Sequence, residues 1–199
     1  VGYLLMATGD AQWADKIERA TFNAGPGSVT KDFKAHQYYS APNEVLCTHQ
    51  SSYAMFDRNR FAYRPGHDVE CCTGNVNRFM PNYVSRMWMQ DGQGGLAAVL
   101  YGPGQVTVQA EGQPVTIVEK TDYPFSDRIE FEVKAAQATK LPLSLRIPGW
   151  CDSASLTVNG QPAGVDCKAG TFVTLRQPLA NGDKIVLTLP MKRSEERRV

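Results

Sequence analysis

An α+β fold, helical at its start and stranded over its second half, is predicted by three features of the sequence. The apolar period changes from helical to two across Asp91-Gly92-Gln93-Gly94-Gly95. About eight short strand-like runs then follow, with turn signals every ~8–12 residues, which indicates an antiparallel β-sandwich. Between the opening helices and that change lies a long stretch rich in Gly, Pro, Ser, Asn and Asp. The expected organisation is a helical domain over residues 1–92 and a β-sandwich domain over residues 93–199.

Residues 1–24 read as a helical hairpin. Gly9 supplies a stop for the first helix and Asp10 an N-cap for the second. Trp13, Ile17, Ala20, Thr21 and Ala24 recur at three- and four-residue spacing, so they are expected to form the packed face. Residues 25–74 interleave turn formers with Phe33, Tyr38, Tyr39, Tyr53, Phe56 and Tyr63. A loop of that length in a compact domain is commonly functional, and its aromatics predict that it is ordered. A further helix is expected over residues 75–89, with Pro81 either kinking it or marking its first turn.

Beyond Gly95, Ile129, Phe131 and Val133 alternate with Glu130, Glu132 and Lys134, and Leu141, Leu143, Leu145 and Ile147 alternate with Pro142, Ser144 and Arg146. That is the pattern of half-buried strands. Others are predicted over residues 96–101, 105–109, 115–120, 155–158, 171–176 and 184–189. Asn159-Gly160 is a hairpin turn signal, and Asn181-Gly182-Asp183 marks another connection.

The 199 residues are 42% apolar, enough for a substantial core, and 21 basic residues against 20 acidic ones leave a formal charge of +1. No electrostatic footprint points to nucleic acid or an anionic membrane, and a neutral substrate is the easier match. No apolar run approaches the ~20 residues of a membrane span. The chain opens on Val1-Gly2-Tyr3-Leu4-Leu5-Met6, inside an apolar helix, so an incomplete N-terminus is expected and localisation is left open.

The chemically distinctive segment is Glu70-Cys71-Cys72-Thr73-Gly74-Asn75-Val76-Asn77-Arg78. A disulfide between chain neighbours would be strained, because adjacent Cα atoms are ~3.8 Å apart whereas bridged ones are usually ~4.4–6.8 Å apart. Vicinal thiols can serve as zinc ligands, as a nucleophile, or simply as small apolar residues at a helix start. Two thiolates are half of a tetrahedral zinc site. Cys47, His49 and His67 are the candidates to complete it, although their spacing matches no common zinc pattern. The five cysteines, which include Cys151 and Cys167, show no scaffold-like spacing, and a disulfide framework is not expected.

Three segments carry a family resemblance: Asp15 with Ile17-Glu18-Arg19-Ala20-Thr21-Phe22-Asn23, then Gln37-Tyr38-Tyr39-Ser40-Ala41-Pro42-Asn43, then the Cys-Cys run. Together with Leu145-Arg146-Ile147-Pro148-Gly149-Trp150 and Val158-Asn159-Gly160, they resemble glycoside hydrolase family 127 and relatives such as family 146. The resemblance implies a retaining β-L-arabinofuranosidase-type enzyme whose helical part is the C-terminal portion of an α/α-barrel catalytic domain. It further implies that Cys71 and Cys72 join a Glu-x-Cys pair on zinc and that Cys71 attacks the anomeric carbon, with a separate Glu as acid/base. Tyr39 falls where the family places a tyrosine facing the sugar. Neither the Glu-x-Cys pair nor the acid/base Glu can be assigned in this chain. The expectation is that they lie upstream, in a missing N-terminal part of the catalytic domain, and that the isolated piece does not turn over. Thr73-Gly74-Asn75 departs from the Pro-rich sequence of relatives, which puts the arabinofuranoside specificity in question.

Other residues have plainer readings. Glu70 and Arg78 are placed to orient the cysteines or to pair with each other, while His36, His49 and His67 read as ordinary loop residues. Trp150 ends an apolar strand and reads as core. The terminal Lys192-Arg193-Ser194-Glu195-Glu196-Arg197-Arg198 reads as a solvated end. Two further functional classes compete with the enzyme: a non-catalytic β-sandwich carbohydrate-binding or interaction module, and a thiol redox or metal-storage role for the vicinal cysteines.

Overall fold

The computed structural model describes residues 1–41, 46–48, 58–67 and 71–191. Tyr53, Phe56, His49, Glu70 and the charged terminus 192–198 lie outside the described residues. The chain forms two compact units, one of Lys16–Ser85 and one of Val1–Asp15 with Arg86–Val199.

The predicted hairpin of helices is present as α1 (Gly2–Thr8) and α2 (Ala11–Arg19). Gly9 closes α1 in the left-handed region, φ 64°, with its N–H donating to the Leu5 carbonyl. The Asp10 carboxylate accepts from the Gln12 N–H at 3.0 Å and so caps α2. The buried stripe is Ala11, Ala14, Glu18 and Thr21. Of the expected face only Thr21 is buried; Trp13 and Ile17 are half-buried and Ala20 and Ala24 exposed. Both stripes have helical spacing, and the structure buries the one whose small alanines allow close approach.

In the Lys16–Ser85 unit, α2 runs on through a π-helical turn, Ala20–Ala24, into the short α3 (Gly25–Gly27). Pro26 within α3 has no N–H to give to the preceding turn, and its ring would crowd the Phe22 carbonyl in a regular α-helix. A 3₁₀ turn follows at Arg58–Phe61, then α4 (Cys71–Val76) and α5 (Phe79–Val84). The single helix expected over residues 75–89 is therefore two short ones, the first beginning at Cys71. Pro81 sits in the first turn of α5, where a missing N–H is tolerated, and the Ser85 N–H donates to the Pro81 carbonyl at 2.9 Å.

The other unit adds ten strands. β1 (Trp88–Gln90), β2 (Leu96–Ala98), β6 (Leu143–Ile147) and β9 (Thr171–Leu175) form a four-stranded sheet in the order β1-β2-β6-β9. β3 (Gly104–Ala110), β4 (Gln113–Thr121), β5 (Arg128–Ala135), β7 (Ser155–Val158), β8 (Gln161–Pro162) and β10 (Lys184–Thr188) form a six-stranded sheet in the order β3-β4-β5-β10-β7-β8. All pairings are antiparallel except β2 with β6, so the expectation of a wholly antiparallel arrangement fails there. A parallel pair needs a long crossover, and the chain from β3 to β5 supplies it. Every predicted strand is present. The two that were not predicted are β1 and β8, three and two residues long. Asn159 (φ 52°) and Gly160 (φ 79°) make the predicted tight turn between β7 and β8.

Val115, Ile117, Ile129, Phe131, Val133, Leu143, Leu145, Ile185 and Leu187 are buried, and each contributes about 1.5–3 kcal/mol of apolar burial. Trp88 of the four-stranded sheet meets Phe131 of the six-stranded sheet edge-on, with ring centroids 5.8 Å apart. Arg146 interrupts the alternation, being fully buried in β6. Its Nε donates to the Val99 carbonyl at 2.6 Å, its Nη1 to Asp15 Oδ1, and its guanidinium lies 5.5 Å from the Tyr101 ring centroid. The other Asp15 oxygen accepts from the Gly149 N–H at 2.9 Å. Trp150, expected in the core, is 47% exposed, because the chain turns outward at Pro148-Gly149 after β6 ends. No helix among the described residues is long and apolar enough to cross a membrane.

Candidate active site

The aromatic loop of the Lys16–Ser85 unit is held by backbone pairing and buried polar groups. His36 bridges to Val29 on one side and to Arg64 on the other. The Tyr38 and Tyr39 N–H groups both donate to the Arg60 carbonyl at 3.0 Å, which fixes the two tyrosines side by side. Gln37, 6% exposed, donates through Nε2 to the Phe61 carbonyl at 2.8 Å and toward Cys47 Sγ at 3.0 Å, while its Oε1 accepts from Ser40 Oγ. The expectation of an ordered loop fits these residues, whose buried Gln37 amide and His36 ring are hydrogen-bonded.

The cysteine pair opens α4. Cys71 is exposed and Cys72 half-buried, with the two sulfurs 3.9 Å apart and no disulfide between them. The Tyr38 hydroxyl lies 3.5 Å from Cys71 Sγ, and Cys72 Sγ points at the Tyr38 carbonyl at 4.0 Å. The Tyr38 hydroxyl holds the Cys71 thiol below the usual cysteine range, while burial pushes Cys72 up. The pair is thereby divided: Cys71 gives up its proton more readily than Cys72. The Arg60 guanidinium sits 4.9 Å from the Tyr38 ring centroid, within cation–π range.

Behind the pair, His36 is buried and its Nδ1 faces the Gln37 carbonyl at 3.1 Å, so Nδ1 carries the proton. Its Nε2 then accepts from the Thr73 hydroxyl at 2.9 Å, which ties the residue after the cysteines to the aromatic loop. The His67 ring lies tilted against that of His36, centroids 4.9 Å apart, and donates from Nε2 to the His36 carbonyl. A cleft of about 380 Å³ opens beside these groups, with Tyr38, Ser40, Cys72, Asn75 and Phe79 among its walls.

Tyr39 is packed edge-on against Tyr38 and tilted against Phe61. Its neighbour Tyr38 is the tyrosine whose hydroxyl meets Cys71, a distinction that two adjacent tyrosines in a sequence do not offer. Cys47 and His67, the candidates to complete a metal site, are engaged with Gln37 and the His36 carbonyl. His49 and Glu70 lie outside the described residues, so the pairing of Glu70 with the exposed Arg78 does as well. Among the described residues no three His, Cys, Asp or Glu side chains gather as a metal cluster. The cysteine pair by itself nevertheless has the spacing of two zinc ligands: thiolates at about 2.3 Å on a tetrahedral zinc stand about 3.8 Å from each other, against 3.9 Å here. The links from His36 to Thr73 and from Arg60 to Tyr38 were not anticipated, since they join positions far apart in the chain.

Comparison with known proteins identifies the family of the chain. Residues 2–85 match the family model of the β-L-arabinofuranosidase GH127 catalytic domain, and residues 95–191 that of the GH127 middle domain. A non-reducing end β-L-arabinofuranosidase of Bifidobacterium longum is 28% identical over 190 residues, which is 90% of this chain and 27% of that protein. Among solved structures, a GH127 β-L-arabinofuranosidase from Geobacillus stearothermophilus T6 superposes with a TM-score of 0.80 at 26% identity, covering 95% of this chain and 29% of that one. A structure described as a glycoside hydrolase gives a TM-score of 0.81 at 25% identity, over 95% and 30% of the two chains. The chain belongs to glycoside hydrolase family 127, and it spans a little over a quarter of the length of the relatives it matches.

Proposed function

We propose that this chain forms part of a retaining glycosidase acting on β-L-arabinofuranosides, with Cys71 as the nucleophile. The observation that carries the reading is the Tyr38 hydroxyl on Cys71 Sγ, which favours the thiolate at one cysteine of an otherwise equivalent pair. The names of the relatives supply the sugar class. In this reading residues 1–92 are the last portion of an α/α-barrel catalytic domain, and residues 93–199 are a β-sandwich domain.

The Cys71 thiolate attacks the anomeric carbon as the glycosidic C–O bond breaks, giving a thioglycosyl enzyme. A general acid, for which the described residues offer no candidate beside Cys71, protonates the leaving oxygen. The same group in its basic form then takes a proton from the water that displaces the sulfur. The Tyr38 hydroxyl donates to the sulfur before attack and again as it leaves. Tyr39 lines the sugar side. Cys71 and Cys72 would hold zinc, which when bound would stabilise the Cys71 thiolate electrostatically at neutral pH.

The direct test traps the intact protein with a cyclophellitol-like sugar electrophile and maps the adduct by mass spectrometry. An adduct on Cys71 is expected; one on a carboxylate, with Cys71 unmodified, overturns the reading. Zinc content is the companion measurement: Cys72→Ser should lose most of its metal, and full occupancy in that variant would remove Cys72 from the site.

A further inference from the structure

The Thr73 hydroxyl has no part in the proposed chemistry, yet it makes the shortest of three contacts that join α4 to the aromatic loop. The Tyr38 hydroxyl lies 3.5 Å from Cys71 Sγ, Cys72 Sγ points at the Tyr38 carbonyl at 4.0 Å, and Thr73 Oγ1 stands 2.9 Å from His36 Nε2. Hydrogen bonds involving sulfur are long and weak, so of these three the last is the firm one. Its anchor is firm as well. The His36 N–H donates to the Arg64 carbonyl at 2.9 Å, and the His36 carbonyl accepts from the Arg64 N–H at 3.1 Å and from His67 Nε2 at 2.9 Å. The ring is 5% exposed and its Nδ1–H is given to the Gln37 carbonyl, which leaves Nε2 as an acceptor and makes the Thr73 hydroxyl its donor. Without that hydroxyl the buried ring would hold an acceptor with no partner, an arrangement that folded proteins avoid.

A short helix held at one point can still roll about its axis. Residues 71 and 73 stand about 200° apart around α4 and about 3 Å apart along it. Holds at both positions therefore fix the roll of the helix as well as its place. The two holding residues, His36 and Tyr38, belong to one segment whose backbone is itself tied down: the Gln37 N–H donates to the Ser28 carbonyl at 2.9 Å and the Tyr38 N–H to the Arg60 carbonyl at 3.0 Å. We propose that Thr73 and His36 are positioning residues for Cys71, their hydrogen bond setting the roll of α4 that brings Cys71 Sγ to the Tyr38 hydroxyl. The proposal rests on Cys71 being the nucleophile. Neither residue carries out a step of the reaction. Their effect passes through the Tyr38 contact, so Thr73 and Tyr38 act as one unit.

Thr73→Val keeps the shape of the side chain and removes the hydroxyl, whereas Thr73→Ser keeps the hydroxyl and removes a methyl group. In the intact protein, with an aryl β-L-arabinofuranoside as substrate, kcat is expected to fall about tenfold in Thr73→Val with KM little changed. Thr73→Ser should retain the unmutated rate. The second readout needs no turnover: after chelation, the protein is alkylated briefly with iodoacetamide at neutral pH, and fragmentation of the peptide that carries both cysteines gives the ratio of labelling at Cys71 to that at Cys72. In Thr73→Val this ratio should fall by about fivefold, toward its value in Tyr38→Phe. The double variant Tyr38→Phe/Thr73→Val should be no lower than Tyr38→Phe alone, because both changes remove the same contact. An unchanged ratio in Thr73→Val overturns the proposal. So does a Thr73→Ser variant as impaired as Thr73→Val, or a double variant in which the two effects multiply. If Thr73→Val fails to fold, Thr73→Ala supplies the same comparison. A trapped sugar on a carboxylate would overturn the nucleophile reading instead, and the labelling ratio tells that failure from a failure of the Thr73 contact.

Discussion

At Cys71 and Cys72 two neighbouring thiols meet different surroundings: one receives a tyrosine hydroxyl, the other a backbone carbonyl and partial burial. Chain adjacency alone would make them equivalent, so the asymmetry comes from the loop that carries Tyr38. That loop owes its position to the Arg60 carbonyl and to the buried Gln37 amide. Tyr38→Phe keeps the ring over which Arg60 sits and removes only the donor. Since the donor lowers the Cys71 pKa, its loss moves the thiolate to higher pH. In metal-free protein the midpoint of Cys71 alkylation by iodoacetamide is expected to shift upward, and turnover of the intact protein to fall on the order of tenfold. An unchanged midpoint would show that Tyr38 merely packs there.

At the scale of elements, two segments that carried the family resemblance prove to be one interaction. Asp15 on α2 spans from the Arg146 guanidinium of β6 to the Gly149 N–H just beyond it. A Cβ on Gly149 would stand 2.8 Å from Asp15 Oδ2, so Gly149 is needed for this approach. Arg146 is fully buried, and removing its partner leaves a charge without compensation. Asp15→Ala is expected to destabilise by about 3–5 kcal/mol in urea unfolding. Asp15→Ala with Arg146→Met should cost less than the two single changes added together, by about 1 kcal/mol or more. Strict additivity would mean that the two side chains do not depend on each other. The strands were legible because period-two alternation is local: Ile129, Phe131 and Val133 announce β5 unaided. The buried face of α2 was not legible, because Trp13 and Ile17 outweigh Ala11 and Ala14 on any hydrophobicity scale while packing favours the small residues. The helix over residues 75–89 was misplaced for a related reason. Its apolar residues hide a break at Asn77-Arg78 and the passage into β1, which only pairing with β2 defines. Of the site, the Cys-Cys motif was visible in sequence; the Tyr38, His36 and Arg60 contacts depend on tertiary placement.

Considered whole, the sheet-bearing unit holds a buried carboxyl at odds with its surroundings. Glu119 on β4 is 2% exposed; its Oε1 accepts from the Gly102 N–H at 3.0 Å, and its Oε2 meets no hydrogen-bond partner among the described residues. Burial raises its pKa to about 8, against the opposing pull of the Gly102 N–H. In the unfolded chain the same carboxyl titrates near its ordinary value of 4.5. Below that value both states are protonated and the contribution to stability is complete. Between 4.5 and about 8 the unfolded state ionises while the native state keeps its proton, so the native state binds more protons and stability falls as pH rises. Above about 8 the loss levels off, at a total on the order of 5 kcal/mol at most. Glu119→Gln carries a neutral group of the same shape at every pH, and all other titrating groups are common to both proteins. The difference in unfolding free energy between the two, measured by urea denaturation across this range, is therefore expected to move steadily in favour of the Gln variant as pH rises and then to flatten. A difference that stays constant with pH would mean that Glu119 ionises normally in the folded protein, with a water or an outside cation reaching Oε2.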